Sequence, residues 1–182
     1  MQIFDNPLRY GTITRLLHWG IGALILWQLL GMAIKLVAGR DAELTKLVAG
    51  NHSAMGFTIF ILVLLRVLWA GVNAGRRPAH GTGLLALAAR AGHGALYALM
   101  LAVPGIALLR AYGGERGMNV WGIELFAPRP EGQAVSWMVE LGNTLHGTLG
   151  WVLAALIAGH VVMVVIHHRI LRDDTLRRMA GK

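Results

Sequence analysis

Residues 141–168, which read LGNTLHGTLGWVLAALIAGHVVMVVIHH, contain no Asp, Glu, Lys or Arg. A helix of this length rises about 42 Å, and about 20 apolar residues already cross the hydrocarbon core of a bilayer. Three more charge-free stretches have 19 residues each: 16–34, 47–65 and 91–109. Such a stretch can also be a buried core helix, but four of them in 182 residues leave too little polar sequence to enclose them. The sequence therefore predicts an all-α integral membrane protein with a four-helix bundle.

The composition favours the same class of protein. Hydrophobic residues make up 55% of the chain and charged residues 14%, and the mean hydropathy is +0.56, which is too apolar for a soluble globule of this size. There is no Cys, which excludes disulfides, thiolate zinc sites, iron–sulfur clusters and covalent haem attachment. Any redox centre must therefore be held by His or Met.

The charges predict how the chain is oriented. We place the spans at about 14–37, 50–73, 88–110 and 141–168, within one transmembrane domain covering 1–182. The first span is too long for a signal peptide and is expected to stay in the mature protein. Four spans put both termini on one side, where 11 Lys and Arg face 3 Asp; the other side has 6 basic and 6 acidic residues. The positive-inside rule thus predicts cytoplasmic termini, and the net charge of +8 indicates anionic lipid and no nucleic acid.

Four of the eight His fall inside spans at two matched depths. His52 and His146 lie near the outer boundary, opposite the termini, whereas His18 and His160 lie nearer the cytoplasm. A single intramembrane His can simply hydrogen-bond a neighbouring helix. Two pairs at matched depths instead predict two bis-His sites, because non-covalent haem takes its axial ligands from facing helices. The expected metal ligands are therefore His18, His52, His146 and His160, binding two haems b.

Small residues follow three of these histidines at a spacing of one helical turn. Gly22, Gly56 and Gly150 come four residues after His18, His52 and His146, on the same helix face. A missing side chain leaves room for a porphyrin there. The alternative is ordinary packing of small residues between membrane helices.

Other polar residues have two interpretations each. His93 is a reserve candidate for the inner haem, and His80 is expected to be solvated in a loop. Arg15 and Arg66 lie near the inner boundary, where they either bind haem propionates through guanidinium forks or snorkel to lipid headgroups.

The last span ends in two histidines. His167 and His168 either cap the helix at the cytoplasmic interface or deliver protons to a quinone. At the opposite side, residues 111–140 form the longest connection, with Trp121, Phe126 and Trp137 giving it an interfacial character. This loop is expected to cover the outer face.

The sequence resembles the bacterial cytochrome b561 family over almost the whole chain. The resemblance is carried by RYGTITRLLHW at 9–19, NHSAMGFTIFILVLLRVLW at 51–69, ARAGHGALYALMLAVPG at 89–105 and the segment 145–179. The closing pattern HH-x-x-x-x-D-x-x-L-x-R-M is its most specific part, and NVWGIELFAP in the outer loop also resembles the family. The sequence departs from the family at Ser53, where a basic residue is expected after His52.

The resemblance implies a multi-pass, di-haem b protein of the bacterial inner membrane that exchanges electrons with the ubiquinone pool. Some members of the family are superoxide oxidases, which take electrons from periplasmic superoxide. The family's ligand set agrees with the four histidines paired by depth. We therefore expect an oxidoreductase, with superoxide as donor and ubiquinone as acceptor.

Two other functions stay open at this stage. The chain can be a haem-bearing membrane anchor that passes electrons between a separate periplasmic dehydrogenase and quinone. It can also be a transporter with His as metal ligands, although the spans have no second acidic or Met-rich ligand set.

Overall fold

The computed structural model describes residues 2–78 and 82–181. Its helices are α1 (Thr12–Ala38), α2 (Glu43–Ala49), α3 (His52–Val72), α4 (Gly83–Gly113), α5 (Ser136–Ile166) and α6 (Thr175–Ala180). The π turn His167–Leu171 extends α5, and the strands β1 (Met118–Val120) and β2 (Ile123–Phe126) lie between α4 and α5. His80, expected to be solvated, lies outside the described residues.

Within the described residues, four helical segments are long and apolar enough to cross a membrane, as predicted. They are Thr12–Ala38, Glu43–Val72, Gly83–Gly113 and Ser136–Leu171. Each extends beyond its charge-free stretch, because charged residues such as Arg15 and Lys35 continue the helix at its ends. Long basic side chains can do this while their heads reach the lipid surface.

The bundle pairs α1 with α3 and α4 with α5, and α3 also packs against α4. Among the described residues, one small cluster of buried apolar side chains lies between α1 and α3 and contains Ile21, Ile25, Ile59 and Val63. Many large apolar side chains point outward, such as Leu26 on α1 and Val162 on α5, which are both 56% exposed. This distribution is typical of helices that face lipid, where apolar side chains need no burial in protein.

The N-terminal segment closes one end of the bundle through a buried carboxylate. Asp5 accepts hydrogen bonds from the Thr14 hydroxyl at 2.6 Å and from the Arg77 Nε at 3.2 Å, and its amide donates to Asn73 Oδ1 at 3.0 Å. Asp5 and Asn73 are 3% and 0% exposed. A buried charge is tolerated only with such partners. The network therefore ties the N-terminal segment to α1 and to the end of α3.

The C-terminal helix lies at this same end. The Tyr10 amide donates to the Arg178 carbonyl at 3.3 Å, and Trp19 Nε1 on α1 donates to the Met179 carbonyl at 3.2 Å. We call this the inner end of the bundle, and the opposite end the outer end.

A two-stranded hairpin lies at the outer end. The strands pair Val120 with Ile123, so only Trp121 and Gly122 form the turn, and both have positive φ, 52° and 89°. Positive φ at both turn positions matches the twist of paired strands but is unusual for Trp. Trp121 Nε1 donates to the Thr58 hydroxyl on α3 at 2.9 Å. The outer loop is thus folded onto a membrane helix.

Candidate functional site

The outer pair of histidines meets across α3 and α5. His52 is the first residue of α3, and its ring centre lies 5.9 Å from that of His146, with the ring planes at 88°. Two imidazoles that bind one metal ion from opposite sides, each through a bond of about 2 Å, have ring centres about 6 Å apart. The outer pair therefore has the spacing of a bis-imidazole site.

The hydrogen bonds of the outer pair leave nitrogens available for a ligand. His146 Nδ1 lies 3.0 Å from the Val103 carbonyl, which accepts from an imidazole protonated at Nδ1 and so leaves Nε2 as the free acceptor. His52 Nδ1 is buried and has no hydrogen-bond partner among the residues that the structure describes. A buried nitrogen without a partner is costly, and a ligand at this site would remove that cost.

Gln28 is a contributor that the sequence analysis did not single out. Its side-chain Nε2 donates to the backbone carbonyl of His52 at 2.8 Å, which fixes the start of α3 against α1. An uncharged polar residue inside an apolar span was the signal that could have identified Gln28.

The inner site brings together three imidazoles. The ring centre of His160 lies 6.3 Å from that of His18 and 5.5 Å from that of His93. His93 Nδ1 also lies 2.8 Å from the Ala89 carbonyl. The rings of His18 and His93 are thus each separated from the ring of His160 by about the distance expected for two imidazoles that bind one metal ion. The reserve candidate, His93, therefore belongs to the inner cluster.

The predicted glycines border open space. Within the described part of the chain, nothing outside their own helix turns lies within 4 Å of a β-carbon added at Gly22 or Gly150, and one added at Gly56 would meet Gln28 Nε2 at 3.6 Å. Tight helix packing, the alternative interpretation, would put a neighbouring helix against these positions. The faces beside His18 and His146 are therefore free for a flat cofactor.

The two arginines occupy different surroundings. Arg66 Nε donates to the Tyr97 hydroxyl at 2.9 Å, and its charge acts on both His18 and His160. Arg15 instead directs its guanidinium to the C-terminal end of α6, where an added β-carbon on Gly181 would overlap it. Of the two, Arg66 belongs to the inner histidine cluster.

Tyr97 is a second residue of the site that the sequence analysis did not predict. Its position on α4 relative to Arg66 on α3 depends on how two helices pack. That packing has no signal in a single sequence.

The histidines at the end of the last span lie in the π turn. His167 Nδ1 contacts Asp173 Oδ2 at 2.5 Å, and Asp173 also accepts from the Thr175 amide at 2.9 Å. Burial would raise the pKa of Asp173, but the hydrogen bonds from His167 and Thr175 outweigh it and lower the pKa to about 2. His168 lines a neighbouring cavity with arginines.

The outer cations are unevenly placed around the outer pair. Arg110 Nε donates to Asn143 Oδ1 at 2.6 Å, one turn of α5 before His146, and the charge of Lys35 acts on His52. Lys46 is paired with Glu43 at 2.7 Å. Arg110 and Lys35 are therefore the cations associated with the outer histidines.

Comparisons with known proteins identify the family of this chain. A family model described as prokaryotic cytochrome b561 matches residues 9–182. The chain is also similar to cytochrome b561 homolog 2 of Escherichia coli (strain K12), with 30% identity over 187 residues, covering 100% of this chain and 96% of that protein. Four membrane helices with paired intramembrane histidines fit the haem b that the family binds. The chain belongs to the prokaryotic cytochrome b561 family and is a multi-pass membrane protein of haem b electron transfer.

Proposed function

We propose that this cytochrome carries two haems b and passes electrons from superoxide at the outer end of the bundle to ubiquinone at the inner end. The observation that carries the proposal is the presence of two imidazole pairs with ring centres 5.9 and 6.3 Å apart. Each pair has one histidine on α5, His146 in the outer pair and His160 in the inner pair. These two residues are 14 positions apart, which is about 21 Å of helix rise. One pair therefore serves each side of the membrane.

The residues that would hold the two haems follow from this arrangement. His52 and His146 would bind the outer haem iron, and His18 and His160 the inner one. When bound, each haem supplies a one-electron carrier, and two imidazoles per iron leave no open position for oxygen. Arg66 lies where it would bind a propionate of the inner haem. Arg15 would do so only by leaving Gly181.

Superoxide is proposed as the donor because it is a small anion that reaches only the outer end. Arg110 and Lys35 would attract it toward the outer histidines. The hairpin with Trp121, fixed to Thr58, would lie over this approach. Two superoxide anions give up two electrons and leave as two molecules of oxygen.

Ubiquinone is proposed to bind near His167 and His168 at the inner end. Its reduction takes two electrons and two protons, and histidines at the cytoplasmic interface can supply the protons. The contact of His167 with Asp173 would hold the imidazole in place. His168 is exposed and would exchange protons with water. Both chain termini are proposed to be cytoplasmic and the membrane to be the bacterial inner membrane.

The test is a two-step spectroscopic experiment on the purified holoprotein. Superoxide is generated in solution and haem reduction is followed by absorbance; a ubiquinone analogue is then added and reoxidation is followed. We expect wild type to complete both steps. His167→Ala and His168→Ala should keep the first step and slow the second by about a hundredfold, the lower end of what a positioned proton donor contributes.

Two results would contradict parts of the proposal. If superoxide does not reduce the haems, the donor is wrong, and a membrane anchor for a separate dehydrogenase becomes the better explanation. If reoxidation is unchanged in both His variants, the quinone site lies elsewhere.

A further inference from the structure

A cavity of about 510 Å³ lies where α5 ends at the inner end of the bundle. It is lined by His168, Arg169, Arg172, Asp173 and Arg177. Arg172 has a left-handed backbone conformation, with φ 52° and ψ 37°, which ends the π turn and redirects the chain into α6. This reversal brings Arg177 of α6 to the same cavity as Arg169 and Arg172.

The cavity has an excess of positive charge. Its three guanidinium groups face one carboxylate, and that carboxylate, Asp173, is already engaged by His167 and the Thr175 amide. Arg177 shares its charge with Asp174 at 3.3 Å. In the described part of the chain, the side chains of Arg169 and Arg172 have no hydrogen bond or ion pair. Two guanidinium groups are thus available for an anion, and their forked donors suit phosphate.

Apolar side chains beside the arginines distinguish between sources of phosphate. Ile170 and Leu171, which lie between Arg169 and Arg172 in sequence, are 71% and 50% exposed. The last membrane-spanning segment also ends at Leu171. A free phosphate ion would gain nothing from exposed apolar groups, whereas a phospholipid offers acyl chains next to its phosphate. Basic cavities at this depth bind the headgroups of anionic lipids.

We propose that this cavity binds the phosphate of an anionic phospholipid, with phosphatidylglycerol as the simplest example. Arg169, Arg172 and Arg177 contact the phosphate, and Ile170 and Leu171 contact the acyl chains. Binding holds the π turn and α6 at the membrane surface. His168 lines the same cavity and is proposed above to serve the quinone, but none of the three arginines is proposed to bind haem or quinone.

The test uses haem-loaded protein in a neutral detergent and three probes: dihexanoylphosphatidylglycerol, dihexanoylphosphatidylcholine and inorganic phosphate. Dissociation constants are measured by isothermal titration calorimetry. We expect wild type to bind the anionic lipid at least about tenfold more tightly than the zwitterionic one, because the latter carries its own cation beside the phosphate. Arg172→Gln should reduce this preference, and the triple variant R169Q/R172Q/R177Q should remove it.

Arg90→Gln is the matched control, because Arg90 is an exposed arginine on α4 outside the cavity. It should keep the preference. An unchanged haem absorption spectrum shows that each variant is folded. The proposal is wrong if wild type binds both lipids equally, if the triple variant keeps the preference, or if inorganic phosphate binds as tightly as the anionic lipid.

Discussion

At the scale of single residues, the site depends on which nitrogen of each imidazole is free. The Val103 carbonyl accepts from His146 at Nδ1 and so presents Nε2 to a ligand. The Ala89 carbonyl lies at the same distance class from His93 Nδ1, at 2.8 Å. Both α4 carbonyls therefore orient an imidazole, one in the outer site and one in the inner site.

The inner ligand pair can be decided by substitution. We expect His18→Ala to lose the inner haem and His93→Ala to keep it, because His18 is followed one turn later by Gly22, which borders open space, whereas His93 is followed by the bulky Tyr97. Haem content is measured by pyridine haemochrome, with helical content from circular dichroism as the control for folding. Loss of haem in His93→Ala with retention in His18→Ala would reverse the assignment.

Arg66 should affect the reduction potential of the inner haem. A cation near the iron disfavours the oxidised, more positive form, so Arg66→Gln should lower the potential by tens of millivolts, on the order of 1 kcal/mol. Tyr97→Phe removes the hydrogen bond to Arg66 but keeps the charge, and should cause a smaller shift. Redox titration followed by absorbance measures both. Unchanged potentials in Arg66→Gln would place its charge away from the haem.

At the scale of helices and strands, charge-free stretches predicted all four spans but not their ends. The helices continue past the charge-free stretches because residues such as Arg15 and Lys35 are compatible with helix and with the lipid surface. The second span is predicted to begin at about residue 50, close to the start of α3 at His52, but the short helix α2 before the break at Gly50 and Asn51 is not predicted. Local breaks of this kind depend on packing against other helices.

The outer hairpin was expected only as a loop. Its strands have three and four residues, too short for a clear alternation of apolar and polar positions. The turn has Trp121 where Asn or Asp would signal a two-residue hairpin. The hydrogen bond to Thr58 helps to hold Trp121 there, and a contact over 63 residues has no local sequence signal.

The contact between the π turn and the segment before α6 should stabilise the C-terminal end. Asp173 has a pKa of about 2 in the folded chain, below the usual value of about 3.9, so its contribution is present above about pH 4 and is lost as the pH falls toward 2. Asp173→Asn should speed amide hydrogen exchange of α6 at pH 7 by up to about fivefold, since the pair is partly exposed and is stabilised by about 1 kcal/mol at most.

Asp174→Asn is the control for this measurement. Asp174 pairs with Arg177 at 3.3 Å, with both side chains largely exposed, so its loss should change exchange little. The difference between wild type and Asp173→Asn should shrink below about pH 4, because Asp173 in the open state of the segment then takes up a proton, while in the folded chain it does so only near pH 2. Equal exchange in wild type and Asp173→Asn at pH 7 would show that the contact does not hold α6.

At the scale of the whole molecule, the orientation in the membrane stays a prediction from charge. The side of the termini has 11 basic and 3 acidic residues, and the other side has 6 of each. Reporter fusions at the C-terminus and at Gly117 should report opposite sides, with the C-terminus in the cytoplasm. Identical sides for the two fusions would overturn the count of four spans.

Sequence alone indicates which histidines share a depth in the membrane, because depth can be counted along each span. Depth alone does not determine which of two histidines at the same level is the second ligand of a pair. His18 and His93 enter from the same side at similar depth, and both lie near His160. Rotation of α1 and α4 about their axes decides between them, and that rotation is set by packing.

The haem content of the pure protein tests the account most directly. Pyridine haemochrome analysis against protein concentration should return about two haems b per chain for wild type, and about one for each of His146→Ala and His160→Ala, with helical content unchanged. A stable value of one haem per chain in wild type, with all four histidines intact and haem in excess during expression, would contradict the two-site arrangement.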